Sequence, residues 1–136
     1  MHHMTQASNK GLIKKHDLAV GMFYFYENYM VAEVNEGIAF TLENATEMLE
    51  LAKAYYGNTT PFAYISNRIN SYSFNPTAHF KTVAMFPNFV GYATVTYDDI
   101  NHDIAQLEKS FMNRPAQNFR TLADAIAWVE QLIVKD

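Results

Sequence analysis

Hydroxyl, amide and guanidinium side chains are concentrated in one short stretch of this sequence, residues 66–79. It reads S-N-R-I-N-S-Y-S-F-N-P-T-A-H. Side chains of these types bind ligands and partners through hydrogen bonds, and an Arg can hold a carboxylate or phosphate with two parallel bonds. The candidate ligand- or partner-binding residues are therefore Ser66, Asn67, Arg68, Asn70, Ser71, Tyr72, Ser73 and His79.

Arg68 is the one cation among the neutral polar groups that follow it, so it needs an anion. A ligand could supply that anion, helped by a helix N-terminus near Asn75. An internal salt bridge that pins the loop, to Glu33 or Glu36, makes the same demand on the guanidinium. The sequence leaves both alternatives open.

A hydrolase is a weaker hypothesis. Ser71 and Ser73 lie near His79, and Asp98 or Asp99 could orient that imidazole. No G-x-S-x-G motif surrounds either Ser, and loop hydroxyls commonly bond to nearby backbone groups instead. The chain also has no Gly-rich phosphate loop, dinucleotide fingerprint or metal-ligand spacing. We therefore expect no enzyme activity, no cofactor and no metal.

The elements around this stretch place it at the carboxyl end of the central strand of a sheet. Phe62 to Ile65 is a short apolar run, typical of a strand that is buried on both faces. Asn75 and Pro76 are typical of a helix N-cap and first helical residue, with the helix continuing to Met85. The polar loop thus follows the carboxyl end of a central strand, where ligands bind in open α/β sheets.

The remaining elements follow from hydrophobic periodicity. Strands are predicted at residues 18–26 and 29–34 around a turn at residues 27–28, with Glu33 on the more solvated face. A helix is predicted over residues 41–56 with Thr41 as its N-cap, then a strand over residues 90–97. A short edge strand at residues 117–119 leads to a last helix that starts at Thr121.

The helix that begins at Asp98 and Asp99 has an apolar stripe predicted to face the core: Ile100, Ile104, Leu107 and Phe111. This helix completes an alternation of strands and helices along the chain, and that alternation predicts an α/β fold. We expect a mainly parallel central sheet, an antiparallel N-terminal hairpin and about four helices. Residues 11–136 form one domain, and residues 1–10, including the His2–His3 pair, are expected to be a disordered tail.

This order, with E-V-N-E-G at residues 33–37 and N-F-R-T-L-A-D-A-I-A-W-V at residues 118–129, resembles the SpoIIAA-like or STAS family. STAS domains are small regulatory modules, typified by anti-sigma-factor antagonists. In them a Ser or Thr at the start of the second helix is phosphorylated to break a partner contact. Their signature there is close to D-S-S/T-G, whereas this chain has I-S-N-R-I-N-S-Y-S-F-N-P. The SpoIIAA-like branch is also related in fold to lipid-binding domains, which implies a ligand role as an alternative.

Composition excludes several classes of protein. The 136 residues carry a net charge of −4 and no Lys/Arg cluster, which argues against a nucleic-acid binder. There is no Cys, no apolar run long enough to span a membrane and no signal-peptide core, so we expect a cytoplasmic protein. Aromatic residues make up 15% of the chain, and the strands at residues 18–34 are rich in Tyr and Phe. We therefore expect a homo-oligomer, most simply a dimer.

Three functions remain. The first is a non-enzymatic regulatory or protein-interaction module that presents residues 66–79 to a protein partner. The second is a domain that binds a lipid or another small ligand, such as an anion. The third is a hydrolase. A pocket beneath residues 66–79 would favour the second function, and a flat aromatic patch would favour the first.

Overall fold

The computed structural model describes residues 11–75 and 78–135, apart from the side chains of His79 and Lys135. The helices are α1 (Thr46–Tyr56), α2 (Ala78–Met85), α3 (Asp99–Lys109) and α4 (Leu122–Lys135). The strands are β1 (Leu12–Leu18), β2 (Gly21–Tyr26), β3 (Tyr29–Val34), β4 (Ala39–Phe40), β5 (Phe62–Asn67), β6 (Ser73–Phe74), β7 (Phe89–Val95) and β8 (Ala116–Phe119). The predicted α/β fold is confirmed.

Six strands form the main sheet in the order β1-β2-β3-β5-β7-β8. The first three are antiparallel, and β3, β5, β7 and β8 are parallel. The turn at residues 27–28 is confirmed, because Phe25 pairs with Met30 across it. The parallel strands lie side by side in chain order, from β3 to β8. Right-handed crossovers between them therefore place α1, α2 and α3 on the same face of the sheet. Helix α4 follows the last strand and packs on the opposite face.

Each face of the sheet has its own apolar core. Phe62 and Tyr64 of β5 belong to the core under α1 and α2, whereas Ala63 and Ile65 belong to the core under α4. This alternation is that of a strand covered on both sides. Ile65 is fully buried, so the predicted central strand is confirmed.

The aromatic residues of the hairpin also divide between the two cores. Phe23 and Phe25 pack under α1, whereas Tyr24 and Tyr26 pack on the side of α4. All four side chains are buried within one chain. The aromatic excess in these strands therefore fills the cores of the domain, and a dimer would have to use another surface.

Strand β1 was missed by sequence reasoning. Its residues Lys14, Lys15 and Asp17 are exposed, while Leu12, His16 and Leu18 are half-buried. Charged residues are a common feature of edge strands, since they discourage pairing with other chains. The same charges hide the alternation that marks a strand in the sequence.

The start of α1 differs from the prediction. Thr41 N donates to Asn44 Oδ1 (2.8 Å) and Asn44 N donates to Thr41 Oγ1 (3.2 Å). Thr41 therefore caps a turn, and the α-helix itself begins at Thr46, five residues later than the predicted start. Strand β6, inside the polar loop, pairs with β4 and was also not predicted.

Helix α3 starts as predicted, because the Asp98 carboxylate accepts a hydrogen bond from Asn101 N (2.8 Å). The prediction of its buried face is wrong. Ile100 and Leu107 are 74% and 72% exposed, and the residues that α3 buries are Ala105 and Glu108. The helix is rotated so that Glu108 reaches the buried Arg68, which overrides the apolar periodicity.

The last elements agree with the prediction. Strand β8 lies at the sheet edge beside β7, and Asp124 N donates to Thr121 Oγ1 (3.2 Å) at the start of α4. The predicted start of α2 at Asn75–Pro76 falls partly outside the described residues, as does the N-terminal tail. Within the described ranges, none of the four helices has the length and hydrophobicity that crossing a bilayer requires.

Candidate functional site

The candidate residues begin at the carboxyl end of β5. Ser66 and Asn67 are the last two residues of the strand, and Arg68 follows directly. Successive strand residues point to opposite faces, so the Ser66 and Arg68 side chains lie on the α3 side and Asn67 on the other. All three are buried, so they cannot form a surface for a partner.

Arg68 pairs with Glu108 of α3. Its Nη1 and Nη2 atoms donate to the two carboxylate oxygens, with Nη1···Oε2 at 3.2 Å. The two side chains are only 3% and 9% exposed. The alternative of an internal anion thus describes the structure, but the acid is neither Glu33 nor Glu36. Sequence reasoning missed Glu108 because it lies 40 residues away in a helix whose buried face was mispredicted.

Hydroxyl groups complete the surroundings of Arg68. Nε donates to Ser66 Oγ (3.1 Å), Nη2 donates to Tyr92 Oη (3.4 Å), and the Tyr72 ring lies 5.3 Å from Cζ. Burial lowers the pKa of Arg68, but Tyr92, Tyr72 and Glu108 raise it, and the net direction is upward. The guanidinium is therefore charged and engaged inside the protein, which leaves it poorly placed to bind an anionic ligand.

Asn67 belongs to a second network on the α4 side of the sheet. Its Nδ2 donates to Glu33 Oε2 (2.9 Å), and its Oδ1 accepts from Tyr97 Oη (2.6 Å). Tyr24 Oη donates to Glu33 Oε1 (3.4 Å), and burial together with Glu33 raises the pKa of Tyr24 to about 12. The prediction that Glu33 marks a solvated face is wrong, because these bonds hold its carboxylate in the interior.

The rest of the loop is held against its neighbours. Asn70 Nδ2 donates to the Val34 carbonyl (3.1 Å), and Ser71 N donates to Glu36 Oε1 (2.8 Å). Ser71 and Ser73 are exposed, and Ser71 Oγ accepts from Asn101 Nδ2 (3.3 Å). Of the candidate residues whose side chains the structure describes, these two Ser are the exposed ones.

Of the side chains in the hydrolase constellation, the structure describes those of the Ser and Asp residues. The His79 side chain lies outside the described residues. Asp98 is bonded to Asn101, and Asp99 is paired with Arg120. No group of three or more metal-binding side chains occurs among the described residues.

An apolar cavity lies between the sheet and helices α1 and α2, with Tyr72, Phe74, Ala78 and Thr82 among its walls. Its volume is about 60 Å³. Tyr64, Tyr72 and Tyr92 wall it on the side of Arg68, and Tyr64 stacks on Tyr92 with ring centroids 5.3 Å apart. Burial raises the pKa of Tyr64 and Tyr92, so their hydroxyls stay protonated at neutral pH.

Small side chains create this space. The helices contribute Ala45 and Ala52 at α1 and Ala78 and Thr82 at α2, where larger residues would close it. The other walls are apolar side chains of the sheet, of α1 and of the β4–β6 pair, among them Met30, Phe40, Met48, Phe62 and Phe74. Tyr72 is the candidate residue that connects this cavity to the Arg68 network.

Sequence reasoning placed candidate residues at the carboxyl end of β5 and left a pocket near them open, but it did not identify the residues that line the cavity. The Ala residues that line the cavity belong to an ordinary apolar helical stripe in the sequence. Such a stripe predicts that the helix packs directly against the sheet. Only the distance between α1, α2 and the sheet shows that the stripe leaves space.

Comparison of the chain with protein-family models, with curated proteins and with solved structures finds no match. The resemblance to the SpoIIAA-like or STAS family therefore stays a prediction. Function has to be argued from the cavity, the buried networks and the exposed surface.

Proposed function

We propose that this domain binds the apolar chain of a small amphiphilic, lipid-type ligand in the cavity between the sheet and helices α1 and α2, without catalysing a reaction. The observation that carries the proposal is the cavity itself. Protein interiors are close-packed, so the atoms that line a cavity of about 60 Å³ lack contacts on one side. A ligand that fills the cavity would supply those contacts.

The lining defines the chemistry of the ligand. The walls are largely aliphatic and aromatic. Of the cations beside them, Arg68 is neutralised by Glu108, and Lys53, whose Nζ lies 4.2 Å from the centroid of the Phe86 ring, donates to Asn58 Oδ1 and to the Met85 carbonyl. An anionic group would find no free partner in this wall, whereas methylene and methyl groups would find apolar contacts on all sides. The volume matches the end of an alkyl chain rather than a whole lipid.

We infer that the cavity opens between α1 and α2. Lining residues on that side are half-buried, namely Leu42, Leu49, Phe74 and Thr82, whereas most of the lining residues of the sheet are buried, namely Met30, Phe62, Phe89 and Tyr92. A ligand would therefore insert its chain from this side and leave its polar end in water. This arrangement explains how a site without a charged anchor can still orient an amphiphile.

A series of saturated carboxylates, from propanoate to hexadecanoate, tests the proposal by titration calorimetry. Each buried methylene contributes about 0.8 kcal/mol, so affinity should rise about four-fold per carbon until the cavity is full and then level off. Absence of saturable binding by every member of the series would refute the proposal.

Two variants of helix α2 show whether binding occurs in this cavity. Ala78→Phe places a ring in the cavity and should abolish binding, because Ala78 lines the space. Ala84→Phe is the matched control, since Ala84 lies in the same helix but is exposed. Equal affinity of the two variants for decanoate would place the ligand elsewhere.

The second candidate function is a regulatory or protein-interaction module of SpoIIAA/STAS type. The exposed Ser71 favours it, because its N–H is bonded to Glu36 and its hydroxyl to Asn101. A phosphate at Ser71 would lie beside the Glu36 carboxylate and repel it.

Ser71→Asp should therefore accelerate amide exchange in residues 70–75, while Ser73→Asp serves as the exposed control. Unchanged exchange in Ser71→Asp would remove this support.

A further inference from the structure

One polar group interrupts the apolar lining of the cavity, and it is the hydroxyl of Tyr64. Five of the lining side chains carry a hydroxyl: Thr41, Tyr64, Tyr72, Thr82 and Tyr92. Hydrogen bonds inside the protein engage four of these hydroxyls: Thr41 with Asn44 N, Tyr72 with Ser66 Oγ, Thr82 with the Ala78 carbonyl, and Tyr92 with Arg68 Nη2. Among the described residues, Tyr64 Oη has no such partner. Its O–H group is therefore available to a molecule in the cavity.

The strand around Tyr64 shows where this hydroxyl is accessible. Tyr64 lies on β5, between β3 and β7, and its ring stacks on that of Tyr92 with an interplanar angle of 8°. Its neighbours in the strand, Ala63 and Ile65, are fully buried, whereas Tyr64 is half-buried. Helices α1 and α2 pack over the face of β5 that carries Tyr64. The accessible part of the side chain therefore faces the cavity that it lines.

The surroundings of Tyr64 make its hydroxyl a hydrogen-bond donor. Burial raises the pKa of Tyr64, so the group keeps its proton at neutral pH. The positive charge of Arg68 opposes this shift, so that charge is close enough to act on the hydroxyl. A nearby positive charge polarises the O–H bond and favours the negative end of a ligand dipole beside it. A buried donor without an acceptor destabilises the empty protein, so a ligand that brings an acceptor would gain affinity.

We propose that the buried end of the ligand carries a neutral carbonyl oxygen, that of a ketone or an aldehyde, which accepts a hydrogen bond from Tyr64 Oη. This inference rests on the proposed function, and it adds a second polar group to the amphiphile. A carboxylate at the buried end would lose its hydration, and Arg68 is already paired with Glu108. A hydroxyl would bring a proton that needs an acceptor of its own. A carbonyl oxygen needs one donor, and the lining offers one.

Titration calorimetry with decanoate and two of its oxo derivatives tests the inference. The carbonyl of 9-oxodecanoate lies next to the methyl end, whereas that of 4-oxodecanoate lies near the carboxylate, which stays in water. Tyr64→Phe removes only the hydroxyl. It should weaken the binding of 9-oxodecanoate roughly ten-fold, because the buried carbonyl loses its donor. The affinities for decanoate and 4-oxodecanoate should stay those of wild type, since neither ligand places an oxygen at the buried end.

Two further variants serve as controls. Tyr55→Phe changes a half-buried Tyr of α1 that is not among the residues lining the cavity, so it should leave all three affinities unchanged. Tyr56 Oη donates to the Tyr26 and Tyr29 carbonyls (2.8 Å each), so Tyr56→Phe should lower the melting temperature. Tyr64→Phe should not lower it, because no hydrogen bond inside the protein is lost.

A ¹³C label at the carbonyl of 9-oxodecanoate reports on the hydrogen bond itself. In infrared spectra, the stretching frequency of the bound carbonyl should be lower with wild type than with Tyr64→Phe, because a hydrogen bond weakens the C=O bond. Equal frequencies in the two complexes would overturn the inference.

The calorimetric outcomes separate this inference from the proposed function. Equal effects of Tyr64→Phe on decanoate and 9-oxodecanoate would overturn the carbonyl assignment and leave the ligand site in place. A melting temperature of Tyr64→Phe as low as that of Tyr56→Phe would also overturn it, because the hydroxyl would then have a partner inside the protein. Absence of binding by all three acids to wild type would refute the proposed function, and this inference with it.

Discussion

Removing one partner of the buried Arg68–Glu108 pair should destabilise the fold strongly. Glu108→Leu leaves a guanidinium that stays charged and has lost its carboxylate, and breaking a buried pair in this way costs about 3–5 kcal/mol. Arg68→Met should also destabilise the fold, by about 2–4 kcal/mol, because it leaves the Glu108 carboxylate buried without its partner. For a chain of this size, such losses lower the melting temperature by roughly 10–15 °C.

The double variant Arg68→Met/Glu108→Leu distinguishes the contribution of the ion pair to stability from the contribution of the volume that its side chains fill. Two apolar side chains of similar volume leave no buried charge, so the double variant should lie within about 1–2 kcal/mol of wild type. The free energies of unfolding from urea melts then give a favourable coupling of at least about 3 kcal/mol for the cycle.

The Arg120–Asp99 pair provides the matched control. Its side chains are 50% and 92% exposed, so Arg120→Met should cost less than about 1 kcal/mol. Additive losses in the Arg68/Glu108 double variant would refute the reasoning, because they would show that neither side chain depends on the other.

Two further predictions concern the cores. Ile65→Asn should cost about 3 kcal/mol or more in a urea melt, because it places an unpaired amide in the fully buried centre of β5; a melt like that of wild type would contradict the burial. Stability should fall as the pH rises above about 10. Burial raises the pKa of several tyrosines in the folded state, so the unfolded chain loses these protons first: Tyr24, Tyr29, Tyr56, Tyr64, Tyr92 and Tyr97. Absorbance at alkaline pH should show their ionisation only on unfolding, and a simple titration of all nine Tyr near pH 10 would contradict this.

Local signals predicted much of the fold. The two-residue turn between Tyr26 and Tyr29, the apolar run before Ser66 and the N-cap at Asp98 each act over a few residues, and the structure contains all three. Where a signal was weak, as in the charged edge strand β1, the element was missed. Hydrophobic periodicity describes one helix at a time, so it could not show that α3 buries Glu108 and exposes Leu107.

The site could be predicted only in outline. The end of β5 follows from the order of strands and helices, and the need of Arg68 for an anion follows from its neutral neighbours. The acid that pairs with Arg68 is determined by the rotation of α3. The cavity is determined by the distances between the sheet, α1 and α2. Neither is encoded within a short stretch of sequence.

Methionine methyl NMR tests the central claim most directly, because Met30 and Met48 line the cavity while Met22 packs on the opposite face of the sheet. In protein labelled with ¹³C at the methionine methyl groups, decanoate should shift the Met30 and Met48 signals and give intermolecular NOEs from its chain to both. The Met22 signal should stay in place. Saturable binding of decanoate that leaves Met30 and Met48 unchanged would contradict the assignment of this cavity as the ligand site.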